Sequence, residues 1–248
     1  MLVRLAVLMG LLALWELWAA RRDPLLYVPP SRVLPALGRV IRLEAYPALL
    51  GHLGLTVLEV LAAYALAVGL GLALGFALGL PRHVGEIYEP LLAALYAIPN
   101  VVWYPSLMLF FGLGPASKIA FGVLLGFFPV VLAVLAGIRS VDPHLLTVAR
   151  GLGAGTSTCF LKVVLPAIAA TLVAGFRTGL ALTVVGVLVG EILGARAGLG
   201  YLINYAYGRF RTADYAALAL LALLLVVVID GAAAWVESRA RRWIEGAA

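Results

Sequence analysis

Long apolar runs alternate with short polar stretches along the whole chain. Six of the runs fit helices that cross a hydrocarbon layer of about 30 Å, which takes roughly 20 residues each. They cover residues 5–20, 54–80, 90–111, 119–138, 167–193 and 215–236. The pattern therefore predicts an all-α, polytopic membrane protein with about six transmembrane helices. Six crossings would place both termini on one side of the membrane.

The first run has an alternative interpretation as a cleaved signal peptide. Arg4 precedes an apolar stretch that continues to Trp15, as in secretory signals. Glu16 interrupts that stretch, and the bulky residues at positions 17 and 18 leave no small-x-small cleavage pair before Arg21. A short first transmembrane helix fits these features better.

The polar stretch 141–168 predicts two short helices outside the bilayer. Asp142 followed by Pro143 predicts a helix start, because the carboxylate accepts a free backbone amide and the proline has no amide to leave unpaired. Apolar residues then recur at helical spacing along one face: Leu145, Val148, Ala149 and Leu152. Three glycines at alternate positions from Gly151 make continuation costly. The first helix is therefore predicted to be short and amphipathic.

A second helical segment is expected directly after these glycines. Thr156 or Ser157 can cap its start, and the segment would run to Leu165. Pro166 would halt or bend it there, since proline clashes with the preceding turn.

The same stretch resembles the EAA loop of ABC importer permeases. That pattern is Glu-Ala-Ala, three residues, Gly, nine residues and then Ile-x-Leu-Pro. Its spacing is complete here, with Thr147, Val148 and Ala149 at the first three positions, Gly153 at the glycine and residues 163–166 at the final group. Thr147 stands in place of the acidic residue, and Val163 is a conservative replacement.

Two further stretches, 90–119 and 190–203, resemble permeases of the nitrate, taurine and aliphatic sulfonate importer family. The resemblance covers roughly residues 90–203 and implies a type I ABC importer permease. The sequence has no internal repeat and no low-complexity linker, which predicts one transmembrane domain over residues 1–248. Within it, residues 21–53 would be an extracytoplasmic connector and residues 139–166 a cytoplasmic coupling loop. The implied location is the bacterial cytoplasmic membrane.

The resemblance also implies the partners. They are a second copy of the permease in a homodimer, a cytoplasmic ABC ATPase dimer and an extracytoplasmic substrate-binding protein. The ATPase-coupling residues would be Pro143, Leu145, Thr147, Val148, Ala149, Leu152, Gly153, Leu165 and Pro166. No phosphate-binding GxxxxGK[ST] sequence occurs in the chain. ATP and Mg²⁺ are therefore expected in the ATPase, with no cofactor in this chain and no enzymatic activity of its own.

The third apolar run contains the candidate pathway residues. Two prolines and an amide interrupt it, at Pro99, Asn100 and Pro105. Broken helices at membrane depth often line transport pathways, which makes Asn100, Trp103 and Tyr104 candidates. A harmless proline kink is the alternative.

Charged residues inside the apolar runs raise the same question. Arg177 and Glu191 are 14 residues apart, or about 21 Å along a helix, which is too far for a salt bridge. Snorkelling explains Arg177, whereas Glu191 is a candidate for the outer mouth of the pathway. Glu59 and Asp230 lie in other runs, and the sequence gives them no partner.

Three glycines at four-residue spacing mark the second apolar run: Gly71, Gly75 and Gly79. A hydrogen in place of a side chain lets another helix approach closely. The spacing predicts helix packing, with a sliding surface as the alternative.

The connector contains five prolines between residues 24 and 47. Its segment between Pro35 and Pro47 has apolar residues on one face and charged residues on the other. A helix on the membrane surface and an irregular loop are both compatible with this pattern.

Composition excludes several classes of protein. With 64% hydrophobic and 12% charged residues, the chain is too apolar for a water-soluble domain of this length. Nine of the 18 Lys and Arg residues fall on each predicted face, so charge does not decide the orientation. Arginines near lipid headgroups explain the net charge of +6, which therefore does not indicate nucleic-acid binding. Cys159 and the isolated histidines indicate neither a disulfide nor a metal site.

Two other functional classes remain compatible with the sequence. A secondary transporter or channel without an ATPase would need its own coupling-ion site, for which Glu59, Glu191 and Asp230 are available. A non-transporting membrane scaffold would use the pathway residues for packing alone. Small anions such as nitrate, bicarbonate or sulfonates fit an importer as substrates, and so do heterocyclic vitamin precursors.

Overall fold

The computed structural model describes residues 2–245, and all regular structure among them is helical. The α-helices are α1 (Leu2–Ala20), α2 (Pro30–Ile41), α3 (Leu49–Gly79), α4 (Arg82–Ala97), α5 (Tyr104–Phe111), α6 (Pro115–Ser140), α7 (Pro143–Gly151), α8 (Thr156–Cys159), α9 (Leu165–Gly194), α10 (Leu199–Tyr207) and α11 (Thr212–Glu245). A 3₁₀ turn at Asn100–Trp103 precedes α5, and a π turn at Phe160–Val164 joins α8 to α9. The all-α prediction is confirmed.

Five helices in residues 2–245 are long and apolar enough to cross a membrane: Val3–Ala20, Leu49–Gly79, Pro115–Ser140, Thr156–Gly194 and Thr212–Arg239. A sixth span is possible from α4 and α5, which are bent by 78° relative to each other. The prediction of about six spans is therefore confirmed. The interruption predicted at residues 99–105 of the third run lies at the break between these two helices, whereas α4 begins at Arg82, eight residues before the predicted start of the span.

The described residues form two compact units, and the chain passes between them within α3, α9 and α11. Of the described residues, 2–58 and 188–228 form the first unit, and 59–187 and 229–245 form the second. The prediction of a single domain over 1–248 includes Met1 and residues 246–248, which lie outside the described residues. That prediction stays untested.

In the first unit, a helix covers only the first part of the segment between Pro35 and Pro47, and residues 42–46 are irregular, so each alternative holds for part of the segment. This helix, α2, begins at Pro30, where a missing amide costs nothing, and it contains Pro35. Val33, Ala36 and Val40 are buried on one face. The helix ends before Leu43, whose φ of 62° is left-handed. Ala36 and Val40 join a core that also contains Leu49 and buried residues of α10 and α11.

In the second unit, the glycines of α3 pack directly against α6. A Cβ atom on Gly71 would lie 2.7 Å from Val130 Cγ1, and one on Gly75 would lie 2.6 Å from Val134 Cβ. Neither approach leaves room for a side chain. The prediction that these glycines serve helix packing is confirmed.

Candidate functional site

The predicted coupling loop folds as a short helix with a capped start. Asp142 has extended backbone, and its Oδ1 accepts a 2.8 Å hydrogen bond from the amide of His144. Pro143 takes the first helical position, where no amide is needed. The Thr147 hydroxyl donates to the Pro143 carbonyl, 3.1 Å away, within the same helix. The helix start predicted from Asp142 and Pro143 is confirmed.

Gly153 ends this helix through its backbone conformation. Its φ is +83°, in the left-handed region that residues with a Cβ atom adopt at a cost. The amide of Gly153 donates to the Arg150 carbonyl at 2.9 Å, and the amide of Ala154 donates to the Ala149 carbonyl at 3.0 Å. No atom lies within 4 Å of a Cβ placed on Gly153. The requirement for glycine is therefore conformational, since space is available.

The second helix of the loop departs from the prediction in two respects. Gly155, with extended backbone, occupies the N-cap position and no side chain caps the helix, so the expected caps Thr156 and Ser157 are wrong. The helix also continues through Pro166 to Gly194 without being halted. The π turn at Phe160–Val164 directly before Pro166 explains this, because it displaces the carbonyl groups with which the proline ring would clash.

The apolar stripe of α7 faces outward. Leu145, Val148 and Leu152 are 51%, 61% and 84% exposed. On the other side of the helix, Leu146 packs against a buried cluster that includes Val134 and Ile168. The second unit thus holds α7 by one apolar side and leaves the opposite apolar side uncovered.

A cavity of about 300 Å³ lies next to α7, on the side that carries Leu146. Apolar side chains of α6 and the coupling loop line it, together with the buried Cys159. Charged residues also line it: Glu86, Glu89, Arg139 and Arg150. Arg139 and Glu89 form an ion pair at 3.3 Å.

The three pathway candidates of the α4–α5 break have different surroundings. Tyr104 is fully buried, with its ring centroid 5.0 Å from that of Phe121 in α6. Trp103 is 48% exposed and Asn100 is half-buried. The break bends the chain by 78° between α4 and α5, and whether it serves transport or is a harmless proline kink is not decided by its geometry. The pathway roles of Asn100, Trp103 and Tyr104 stay predictions.

Glu191 lies at the centre of a buried hydrogen-bonded cluster in the first unit. It is 1% exposed. Its Oε1 accepts a 2.7 Å hydrogen bond from the Thr56 hydroxyl, and its Oε2 accepts one of 2.7 Å from the amide of Gly200. The Thr56 oxygen in turn accepts from the amide of Leu199 at 2.8 Å. The carboxylate therefore fixes the start of α10 to α3 and α9, and its role at a pathway mouth stays a prediction.

The turn before α10 is shaped around this carboxylate. Gly198 has a φ of +107°, and a Cβ atom there would overlap the Glu191 carboxylate. A Cβ on Gly200 would lie 2.6 Å from the Glu191 Cβ. The amide of Gly198 donates a 2.9 Å hydrogen bond to Nδ1 of His52. The stretch 194–200 is glycine-rich because the backbone itself approaches the acidic side chain.

Sequence reasoning missed the partner of Arg177. Its guanidinium donates to both oxygens of Asp230, at 3.1 and 2.9 Å, and both side chains are about half exposed. Asp230 therefore provides Arg177 with a partner that the sequence did not indicate, and snorkelling of Arg177 stays a prediction. Lys118 is another missed charge, buried at 1% exposure, with its Nζ 2.6 Å from the Leu113 carbonyl. Arg177 and Asp230 are 53 residues apart in the sequence, and Lys118 binds a backbone carbonyl that any residue type could supply. The sequence pattern therefore identifies neither contact.

Residues 65–242 match the family described as the binding-protein-dependent transport system inner membrane component. The chain belongs to this family. It is a permease subunit of a transporter and is not itself an enzyme. The coupling loop and most of the long helices lie within the matched residues, whereas α1, α2 and the start of α3 precede them.

Relatives of the permease agree with this assignment. The taurine transport system permease protein of Escherichia coli is 30% identical over 82% of this chain and 76% of its own length. The riboflavin transport system permease protein of Chloroflexus aurantiacus is 38% identical over 59% of this chain and 55% of its own length.

The fold is also that of a solved transporter. A structure of the MetNI methionine ABC transporter in an inward-facing conformation matches with a TM-score of 0.60 and 22% identity. The match covers 78% of the permease and 96% of that chain. The type I importer architecture expected from the resemblance is confirmed. Membership of the family also favours an importer over the secondary transporter and the scaffold.

Proposed function

We propose that the chain forms a homodimeric permease of an ATP-driven importer in the bacterial cytoplasmic membrane. Two cytoplasmic ATPases would bind ATP and Mg²⁺, and an extracytoplasmic binding protein would deliver the solute. The observation that carries this proposal is the uncovered apolar stripe on α7. A helix with an exposed apolar face flanked by polar residues is typical of helix-in-groove docking.

The proposed ATPase contact is built on α7 and its two ends. Leu145, Val148 and Leu152 would enter a groove of the ATPase, with Ala149 and Thr147 beside them. The Asp142 cap and the left-handed Gly153 hold the helix in position relative to the chain. Leu165 and Pro166 begin the helix that would receive the movement.

Movement would then pass into the membrane along one long helix. The helix Thr156–Gly194 has 39 residues and is about 58 Å long at 1.5 Å per residue. Closure of the ATPases on ATP would draw the two α7 helices together, and these rods would change the opening of the pathway. The free energy would come from the ATPase.

We further propose a small solute, of the small-anion or vitamin-precursor type, as the substrate. The named relatives carry taurine and riboflavin. These compounds differ in size and charge, so the family leaves the substrate class broad. Ligand identification on the cognate binding protein would define it.

The test of the ATPase contact is copurification with the cognate ATPase. Leu152→Asp places a charge on the stripe and should abolish copurification while the permease remains folded. Leu25→Asp is the matched control, because Leu25 is also exposed, at 61%, but lies in the connector. Equal ATPase recovery with Leu152→Asp and with the wild type would contradict the proposal.

A further inference from the structure

A second cavity, of about 270 Å³, lies in the first unit between the connector and α10. Three tyrosines, an imidazole and a guanidinium line it: Tyr46, Tyr201, Tyr205, His52 and Arg211. The rings of His52 and Tyr201 are stacked, with their centroids 5.8 Å apart. The cavity therefore has flat aromatic walls with hydrogen-bonding groups at their edges.

Each polar side chain of this cavity can donate a hydrogen bond to an anion, and the tyrosine hydroxyls can also accept one. Nδ1 of His52 accepts from the amide of Gly198, so the neutral ring carries its proton on Nε2. Among residues 2–245, that nitrogen has no hydrogen-bond partner. Burial raises the pKa of the Tyr46 hydroxyl, and Arg211 offsets this in part, so the hydroxyl stays protonated at neutral pH.

Charge around the cavity is positive. Arg39 and Arg211 share the single carboxylate of Asp214, at 3.4 and 2.6 Å. Arg209 lies over the ring of Tyr205, with its guanidinium carbon 3.9 Å from the ring centroid. Two guanidinium groups thus share one nearly buried carboxylate, and a third lies over a tyrosine that lines the cavity, so a bound anion would offset the excess positive charge.

We propose that this cavity is an extracytoplasmic binding site for a small organic anion with a flat apolar group. The anionic group would lie at Arg211 and Nε2 of His52, and the carbon skeleton would lie between the tyrosine rings. The outward orientation rests on the proposed function. With residues 143–152 in the cytoplasm, crossings by α6, the α4–α5 pair and α3 place His52 outside, and a crossing by α9 places Tyr201 outside.

The site would also be linked to the Glu191 cluster. His52 contacts the cavity and accepts from Gly198, which precedes the residues that bind Thr56 and Glu191. A bound anion would hold the imidazole in the orientation that this turn requires.

The experiment measures binding to the purified permease in nanodiscs of zwitterionic lipid, with benzenesulfonate as the probe and benzylammonium as a cation of similar size. Benzenesulfonate should bind at least about tenfold more tightly than benzylammonium, because the site is donor-rich and positive. Arg211→Gln should weaken benzenesulfonate binding about tenfold or more. Arg32→Gln is the control, since it removes the same charge from an exposed position that does not line the cavity.

A second variant guards against misfolding of Arg211→Gln. Tyr201→Leu keeps every charge and should also weaken binding, because it removes an aromatic wall. Equal binding of both probes, or benzenesulfonate binding unchanged by both variants, would overturn the proposal.

Repeating the measurement with phosphatidylglycerol in the nanodiscs identifies the source of the anion. Loss of benzenesulfonate binding by competition would assign the site to the phosphate of a lipid headgroup. Equal binding in both lipids would assign it to a solute. Absence of binding in both lipids would overturn the site.

The assay contains no ATPase, so its outcome is independent of the coupling proposal. If Leu152→Asp does not disrupt the ATPase contact, the proposed function is contradicted, whereas benzenesulfonate binding is unaffected. Loss of the cavity site alone would leave ATPase copurification intact.

Discussion

The hydroxyl of Thr56 donates a 2.7 Å hydrogen bond to the carboxylate of Glu191, although 135 residues separate them in the sequence. Both side chains are buried, at 0% and 1% exposure. A buried carboxylate is tolerated only when hydrogen bonds replace its hydration. This contact therefore converts an expensive side chain into an attachment between α3, α9 and the start of α10.

Thr56→Val should destabilise the permease by about 1–3 kcal/mol, because it removes a donor to the carboxylate and an acceptor for the Leu199 amide. Thermal unfolding in detergent measures the change. Thr56→Ser keeps the hydroxyl and should stay close to the wild type. Thr178→Val is the control, since the exposed Thr178 hydroxyl donates only to the Ala174 carbonyl of its own helix. Equal effects of Thr56→Val and Thr178→Val would contradict the role of the cluster.

Gly153→Val should uncouple the permease from its ATPase by straining the end of α7. Valine at a φ of +83° is strongly disfavoured, and a strained residue of this kind costs about 1–3 kcal/mol. Stimulation of ATP hydrolysis by the loaded binding protein in proteoliposomes is the measurement. Gly155→Val is the control, because Gly155 has an ordinary extended backbone and equally open surroundings. Gly153→Asn should retain partial coupling, since asparagine tolerates the left-handed region. Full transport with Gly153→Val would count against α7 docking.

Gly75→Ala should destabilise the contact between α3 and α6. The added methyl would lie 2.6 Å from Val134 Cβ, and overpacking of this kind costs about 1–3 kcal/mol. Gly69→Ala in the same helix is the control, because no atom lies within 4 Å of its Cβ. Unfolding midpoints of the two variants should therefore shift in opposite directions, the second upward through the better helix propensity of alanine. A higher midpoint for Gly75→Ala would mean that the two helices are not held at this distance.

Neutralising Arg177 or Asp230 singly should destabilise the permease by more than neutralising both together would suggest. Arg177→Gln or Asp230→Asn alone leaves one charge without its bidentate partner on a membrane helix, whereas the double variant leaves none. The double variant should therefore be more stable than the sum of the two single effects indicates. A double-mutant cycle on thermal unfolding measures this coupling, and additive effects would show that the pair contributes nothing.

The sequence predicted the features that depend on local chemistry. Apolar runs give most boundaries of the spans to within four residues, because a fixed hydrocarbon thickness sets helix length, but α4 begins eight residues before the predicted start. Asp142 and Pro143 give the start of α7, because an N-cap acts within three residues. The helix α3 begins at Leu49, five residues before the predicted start of the span at residue 54. Leu49 is buried in the core of the first unit, and this tertiary contact continues the helix beyond the apolar run.

The features that sequence could not predict depend on distant contacts. Nothing near Arg177 indicates Asp230, 53 positions away, and nothing near Glu191 indicates Thr56. The π turn before Pro166 was not predicted for a different reason. Proline predicts a break, but a wider turn accommodates the ring and lets the helix continue.

His52 offers the sharpest test of how the turn before α10 is held. Its Nδ1 accepts from the buried amide of Gly198, and an amide left without an acceptor costs about 1–3 kcal/mol. His52→Leu should therefore lower the unfolding midpoint. His52→Asn should restore most of the loss, because the asparagine Oδ1 occupies nearly the same place as the imidazole Nδ1. If leucine and asparagine destabilise the permease equally, the stacking of His52 on Tyr201 stabilises the turn and the hydrogen bond does not. Rescue by asparagine together with loss of benzenesulfonate binding would separate the two nitrogens, with Nδ1 holding the turn and Nε2 serving the cavity.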